Sequence, residues 1–288
     1  RQKSLRGISE LESGTFSGQV GKCQTESLLR EEQREISVFF QPKCRQRGNI
    51  PMKILVVNDD SIHAPGIVLL AKAAMELGEV TVVAPANQCS AMSQRITIRG
   101  DMRVDKVQDF PVPVKAAYKV DGTPADCLKI AMQYLLEEKP DYVFSGINYG
   151  YNSGTDIQYS ATVGSALEAA CAGVHAIAFS EGASECHEVT DAYLEQMLKE
   201  LMEQPLAHNQ IWNVNFPQCE LEKLRGILYD RKIADCGFFI DEYLEEGLEN
   251  GRIRLTVHGN YNENAPEGTD FRALVDGYIS VGKVNNLQ

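Results

Sequence analysis

From residue 52 onward the chain alternates short apolar runs with stretches of helical spacing, and that alternation sets the architecture. Lys53-Ile-Leu-Val-Val-Asn-Asp-Asp60 holds four aliphatic residues that stop at polar ones. The run is too short for a helix and reads as a parallel strand buried on both faces. Gly66 to Leu77 follows with apolar-periodic spacing, so the opening unit is β-turn-α. The same reading predicts strands near 53–58, 79–84, 117–120, 141–145, 175–179 and 211–215, with helices near 66–77, 124–137, 160–172 and 188–203. Thr123 is a natural N-cap with Pro124 in the first turn, and Gly173 closes the third helix. Alternation of this kind predicts an α/β fold, a Rossmann-like doubly wound and mostly parallel sheet. From about residue 226 the period changes to two, as in Arg252-Ile-Arg-Leu-Thr-Val-His258, which predicts a C-terminal antiparallel hairpin arm. Residues 52–288 are therefore expected to form one α/β domain with that arm. Residues 1–51, rich in Arg, Gln, Ser and Gly without clear periodicity, are expected to be a poorly ordered N-terminal extension.

Composition narrows the function. The chain carries a net charge of −12, and residues 1–51 are locally basic, so the remainder is more acidic still. A nucleic acid polymer is an unsuitable partner for such a surface. An anionic substrate would need a local cation or a helix N-terminus to receive it. No run of eighteen apolar residues is present, so no membrane-spanning helix is expected. The eight Cys are scattered singly with no CxxC. That spacing fits core thiols in a reducing compartment, a cytoplasmic location, rather than a thiolate zinc site.

The candidate chemistry lies where the strands end. Ligands bind outside the carboxyl ends of the strands in open α/β sheets, where Asp59 and Asp60 fall. Adjacent carboxylates repel unless something cationic neutralises them, and a hard divalent ion, Mg2+ or Mn2+, is the first expectation. Three further segments follow strands: Ala84-Pro-Ala-Asn-Gln-Cys-Ser-Ala91, Ser145-Gly-Ile-Asn-Tyr-Gly-Tyr-Asn-Ser-Gly-Thr-Asp156, and Tyr159-Ser-Ala-Thr-Val-Gly164 at a helix start. Asn and Ser supply neutral oxygens, and glycines let backbone N–H groups approach an anion. His63 reads as a turn residue.

Taken together, these segments resemble the SurE family of metal-dependent nucleotide phosphatases. The resemblance runs from Met52 to about residue 285 and includes Trp212-Asn-Val-Asn-Phe-Pro217, Glu267-Gly-Thr-Asp270 and Gly277-Tyr-Ile-Ser280. It implies one divalent cation per subunit held by Asp59, Asp60, Ser90 and Asn148, with Asn152, Ser160 and Thr162 lining a phosphate pocket. It implies hydrolysis of nucleoside 5'-monophosphates to nucleoside and phosphate, with 3'-nucleotides or short polyphosphate as further substrates. It also implies a homodimer or homotetramer in which the C-terminal arm reaches a neighbour. Either Asp59 or Asp60 can serve as general base, and the residues leave that choice open. The chain departs from the family pattern at Ser61, Ala91 and Ala161, where Gly is usual. At such positions a Cβ is expected to crowd a backbone that approaches phosphate or takes positive φ.

Two rivals of similar fold lack their residues here. A phosphorylated receiver domain needs a phosphoacceptor Asp at the central strand end and a later Lys, where this chain has Phe144-Ser-Gly146 and Ala178-Phe-Ser180. A haloacid-dehalogenase-type phosphatase needs Asp-x-Asp, and Asp60-Ser-Ile62 does not supply it. A nucleotide-binding protein of the same fold with weakened catalysis stays as the alternative.

Overall fold

The computed structural model describes residues 51–247, 249–262 and 264–286. The expected extension thus lies outside the described residues except for Pro51. Strand β1 (Met52–Val57) leads through helix α1 (Pro65–Met75) to β2 (Gly78–Pro85), then β3 (Val104–Val107) and β4 (Ala116–Val120). Helix α2 (Pro124–Ile130) runs on as one π-helical stretch, Ala131–Leu135. Next come β5 (Tyr142–Tyr149), α3 (Ala161–Cys171), β6 (His175–Glu181), α4 (Glu188–Met202) and β7 (Gln210–Phe216). The last elements are β8 (Ile227–Arg231), β9 (Phe239–Gly247), β10 (Ile253–Tyr261), α5 (Asp270–Val275) and β11 (Ile279–Asn285).

Nine strands form one sheet in the order β3-β4-β2-β1-β5-β6-β7-β11-β8. Its inner six, β4-β2-β1-β5-β6-β7, are parallel. The order in which successive strands are added reverses between β1 and β5, which is the switch point where such sheets open a crevice. The apolar run of β1 is explained by its surroundings. Ile54 and Val56 join the core under α1 and α4, while Leu55 and Val57 join the core under α2 and α3. Phe179 of β6 stands at the centre of the first core, edge-on to Phe144 and stacked on Phe216.

The local signals for the helix ends hold. Thr123 caps α2 in a reciprocal box: its hydroxyl accepts from Asp126 N–H at 3.2 Å, and Asp126 Oδ2 accepts from Thr123 N–H at 3.0 Å. Gly173, at φ +70°, turns the chain after α3. Helix α2 is shorter than the sequence pattern predicts, because regular α-helix gives way to the π-helical stretch after Ile130.

The C-terminal part divides more finely than its two-residue period predicts. Only β9 and β10 make a separate antiparallel hairpin, with Phe239 paired to Tyr261 at its base. Strand β11 returns to the main sheet antiparallel to β7, and β8 pairs with it in parallel. Strand β3, exposed for most of its length at the other edge, has no apolar alternation to announce it.

Three loops at the carboxyl edge are stitched together by backbone. Ile62 N–H donates to Pro85 O at 3.0 Å, Cys89 N–H to Asp59 O at 2.8 Å, and Ser93 N–H to Tyr159 O at 2.9 Å. Two of the three departures from the family pattern lie in these turns with positive φ, Ser61 at +89° and Ala91 at +57°. Ala161 instead takes the first position of α3, where a methyl is ordinary. Ser61→Gly and Ala91→Gly are each expected to stabilise the fold by about 0.5–1 kcal/mol, because left-handed backbone costs a side chain more than glycine's extra unfolded freedom. Urea unfolding of the two variants checks this, and a lower midpoint for either would refute it.

Candidate active site

Strand β1 carries Asn58, Asp59 and Asp60 out of the core at the switch point. Asp59 stays buried at 3% exposure, and Asp60 is half-buried. Each carboxylate is gripped by a different neighbour. Thr162 Oγ1 donates to Asp59 Oδ1 at 2.5 Å, which brings the first turn of α3 against the pair. Asp60 Oδ2 accepts from Tyr149 N–H at 3.0 Å, and its Oδ1 accepts from Gln88 Nε2 at 3.2 Å.

These bonds draw the two other loops in. Cys89 N–H on the Asp59 carbonyl ties the β2 loop, which carries the exposed Ser90, to the pair. Tyr149 N–H on Asp60 places Asn148 beside it on the β5 side. The pairing of β5 with β6 shifts register between Ser145 and Asn148, an irregularity of the sort that re-aims a side chain. The Asn148 amide nitrogen donates to Gly150 O at 2.7 Å, which leaves its Oδ1 as an acceptor for another group.

Burial pushes the Asp59 carboxyl up to about 7; the Thr162 hydroxyl pulls it back in part, and the Asp60 charge adds to the rise. Burial also raises Asp60, against the hydrogen bonds from Tyr149 and Gln88. Two carboxylates that resist ionisation side by side fit a divalent cation, which would favour the charged form of both. The neighbouring oxygens of Ser90 and Asn148 are the hard donors that Mg2+ or Mn2+ takes. Among the described residues no cluster of three or more His, Cys, Asp or Glu is placed to hold a metal ion. A cation at this place therefore depends on two carboxylates and neutral oxygens.

Of the three residues assigned to a phosphate pocket, two stand at the α3 N-terminus. Ser160 is its N-cap, with Oγ accepting from Val163 N–H at 3.0 Å. Its hydroxyl hydrogen donates to no group among the described residues, and the Ala161 and Thr162 N–H groups of the first turn have no partner within the helix. Thr162 is fully buried, with its hydroxyl engaged on Asp59.

Asn152 stands apart from that pair. Its amide nitrogen donates to Ser180 Oγ at 2.7 Å, its N–H donates to Asn215 Oδ1 at 2.8 Å, and its carbonyl accepts from Asn213 and Asn215 at 2.9 and 3.0 Å. No hydrogen bond among the described residues joins it to Asp59, Asp60, Ser160 or Thr162. It anchors the loop after β5, and it approaches the site through Ser180, the β6 partner of Asn148.

Sequence reasoning missed the residues that hold the site residues: Gln88, Tyr149, Ser180, Asn213, Asn215 and Asp270. Asp270 accepts from Gly154 N–H at 3.0 Å and Ala234 N–H at 2.9 Å and so fixes the far end of the β5 loop. One signal was present. Asn213 and Asn215 share a face of an otherwise apolar strand, and buried amides need partners. Tyr149 acts through its backbone, which no side-chain pattern reveals. His63 is exposed and makes only a weak turn contact, its N–H reaching Ser61 Oγ at 3.4 Å.

Comparison with known proteins places the chain in a family. The family described as survival protein SurE matches residues 54–235. A protein named 5'-nucleotidase SurE from Geobacter sulfurreducens is 39% identical over 80% of this chain and 86% of its own length. One of the same name from Clostridium botulinum is 38% identical over 80% of this chain and 91% of its own. The crystal structure of the SurE protein from Aquifex aeolicus superposes with a TM-score of 0.70 at 32% identity, covering 82% of this chain and 94% of that one. With the family model spanning most of the described chain and relatives 38–39% identical over 80% of it, the chain belongs to the SurE family.

Proposed function

We propose that this chain is a metal-dependent nucleoside 5'-monophosphate phosphatase, acting also on 3'-nucleotides or short polyphosphate. The observation that carries the reading is the convergence of three elements on one acidic pair: the β2 loop through Asp59 O, the β5 loop through Asp60 Oδ2, and the α3 N-terminus through Asp59 Oδ1. The relatives named as 5'-nucleotidases support the substrate class.

Asp59, Asp60, Ser90 and Asn148 would hold one divalent cation, Mg2+ or Mn2+. Such an ion, when bound, polarises a phosphoryl oxygen and lowers the pKa of water on it. The Ser160 hydroxyl and the first-turn N–H groups of α3 receive the phosphate oxygens, where the helix dipole favours an anion. Asp59 or Asp60 accepts the proton of the attacking water. Gln88 and the Tyr149 N–H keep the Asp60 carboxylate in one orientation throughout, and Thr162 does the same for Asp59. Asn152 contributes by fixing the loop that presents Asn148. The reducing-compartment reading of the cysteines carries over as a cytoplasmic location, and no helix among the described residues is long and apolar enough to cross a membrane.

The hairpin supports a homodimer or homotetramer. Tyr243, Leu244, Ile253, Leu255 and Val257 are all more than half exposed on it. A lone two-stranded ribbon with apolar residues in water is marginal, so a second copy of the chain is its natural cover. Replacing residues 241–259 by a short Gly-Ser turn is expected to yield monomers in sedimentation velocity, and an unchanged assembly would count against the arm.

Asp59→Asn tests the site. Phosphate release from nucleoside monophosphates with Mg2+ or Mn2+ is expected to fall at least about a hundredfold, and full activity in the variant or in EDTA would sink the reading. The same variant is expected to stabilise the metal-free protein. Between an ordinary pKa near 4 and the folded value of about 7, the folded state keeps a proton that the unfolded chain has released. Raising the pH through that window therefore destabilises the wild type, and the loss is complete above about pH 7. Metal-free Asp59→Asn is expected to exceed wild type by about 1–3 kcal/mol at pH 8, with the gap closing toward pH 4, as thermal unfolding at several pH values will read.

A further inference from the structure

Six cysteines stand among the described residues, and all six are free thiols. Two pairs of them lie close enough for one thiol to raise the pKa of the other: Cys89 with Cys127, and Cys186 with Cys219. The first pair is packed in the core, with Cys127 fully buried and Cys89 only 8% exposed, so a reagent in water meets almost none of it. The second pair is partly exposed on both members. Nothing in the proposed chemistry uses it.

Three contacts hold Cys219 against the loop that carries Cys186. The Cys186 thiol donates to the Cys219 carbonyl at 3.2 Å, so its sulfur rests on the residue that bears the second thiol. One residue before Cys219, Gln218 packs on Gly182, where a Cβ would collide with the Gln218 Cβ, and its N–H donates to the Tyr151 hydroxyl. Two residues after Cys219, Leu221 N–H donates to Glu188 Oε2 at 2.9 Å in the first turn of α4. Gly182 and Glu188 bracket Cys186 as Gln218 and Leu221 bracket Cys219, so the two segments are clamped on both sides of the thiols. Each cysteine also sits in a tight turn: Cys186 N–H donates to Ser184 Oγ at 3.2 Å, and Cys219 N–H to Pro217 O at 3.0 Å. A disulfide needs two closely held Cα atoms and sulfurs able to turn toward each other. Here one sulfur already touches the main chain of the other residue, and rotation of the Cys219 side chain about its Cα–Cβ bond completes the approach.

The surroundings order the steps. Burial, with the nearby Cys186, Glu220 and Glu188, holds the Cys219 thiol above its ordinary range, and Lys223 opposes them. The thiolate is the attacking form, so the first attack falls to Cys186. Its sulfur takes one oxygen from a peroxide: an S–O bond forms, the O–O bond breaks, and water leaves a sulfenic acid behind. The Cys219 sulfur then attacks that sulfenic sulfur; the S–S bond forms, the S–O bond breaks, and a second water carries off the thiol proton. Two thiols and one hydrogen peroxide thus give one disulfide and two waters, the sulfurs losing two electrons and the peroxide gaining them.

We infer that Cys186 and Cys219 form a reversible disulfide, with a peroxide as oxidant, that locks the loop before α4 to the segment after β7. In a reducing compartment such a bond is transient and forms when oxidant is in excess. It closes the chain across 33 positions, through α4 and β7, which removes conformations from the unfolded chain and stabilises the fold. The link also lies against the β5 loop, because the Tyr151 hydroxyl is held at Gln218 and Gly150 N–H donates to Glu181 O at 2.9 Å. Oxidation therefore stiffens the seat of the loop that carries Asn148 and Tyr149. The inference does not depend on what that loop binds.

Peptide mapping and thermal unfolding test it together. The full chain is treated with hydrogen peroxide, its remaining thiols are alkylated, and it is digested without reduction for mass spectrometry. The main crosslink is expected to join the Cys186 and Cys219 peptides and to vanish after dithiothreitol. The Tm of the oxidised chain is expected to rise by about 5–10 °C, to fall back on reduction, and to stay unmoved by peroxide in Cys186→Ser and in Cys219→Ser. Recovery of both cysteines as free thiols or as unlinked sulfinic acids would overturn the inference, and so would a link from either to another cysteine. A mapped link with an unchanged Tm, or an equal rise in Cys186→Ser, would overturn the lock. The map is made on the wild type, so it decides the pairing even where a variant fails to fold.

Discussion

Two carboxylates on adjacent residues at the end of a buried strand are the constraint around which the molecule is arranged. Burial disfavours charge on Asp59 and Asp60 adds repulsion, so the Asp59 carboxyl is pushed up to about 7. The surrounding elements supply what partial relief a protein can. A threonine hydroxyl reaches Asp59, while a backbone N–H and a glutamine amide reach Asp60. Among the described residues no Lys or Arg forms an ion pair with either. A cationic side chain would stabilise the pair permanently and close it to a metal. Neutral donors orient the carboxylates and leave their charge available.

That arrangement needs loops held to fine tolerance, and the fold meets the need by placing polar residues at the ends of otherwise apolar strands. Ser180, Asn213 and Asn215 are buried side by side on β6 and β7 and grip the Asn152 backbone and amide. Asp270 holds the loop farther along at Gly154. The buried network is thus the support of the β5 loop, which in turn presents Asn148 and the Tyr149 N–H. Positive φ at Ser61 and Ala91 belongs to the same economy of tight turns, tolerated where three loops must meet within hydrogen-bond reach. The hairpin carries two distinct surfaces: aromatic rings at its base line a cavity together with the β5 loop, and apolar residues along its length face outward.

Much of this was legible before any coordinates. Four consecutive aliphatic residues ending in Asn-Asp-Asp announce a two-sided buried strand with a charged end, and the strand order found places that end at the switch point. Thr123 with Pro124 and Gly173 mark helix boundaries because capping is local chemistry. Where the reading fell short, the determining interaction was long-range. Strand β11 returns to the main sheet because it pairs with β7, a partner about seventy residues earlier, and a period of two cannot say which edge a strand will join. Strand β3 has too few buried side chains to leave a pattern.

The site divides along the same line. Sequence alone determined the chemical types and their order along the chain: an acidic pair, hydroxyl and amide oxygens in loops, and a capped helix start. Each depends on side-chain identity or on contacts within one turn. Tertiary structure alone decided that Thr162 serves Asp59, that Asn152 anchors a loop through Asn213 and Asn215, and that Asp60 is held by the backbone of Tyr149. Those bonds span 61 to 103 residues, and hydrogen bonds formed only after the sheet is assembled leave no periodic trace in the chain.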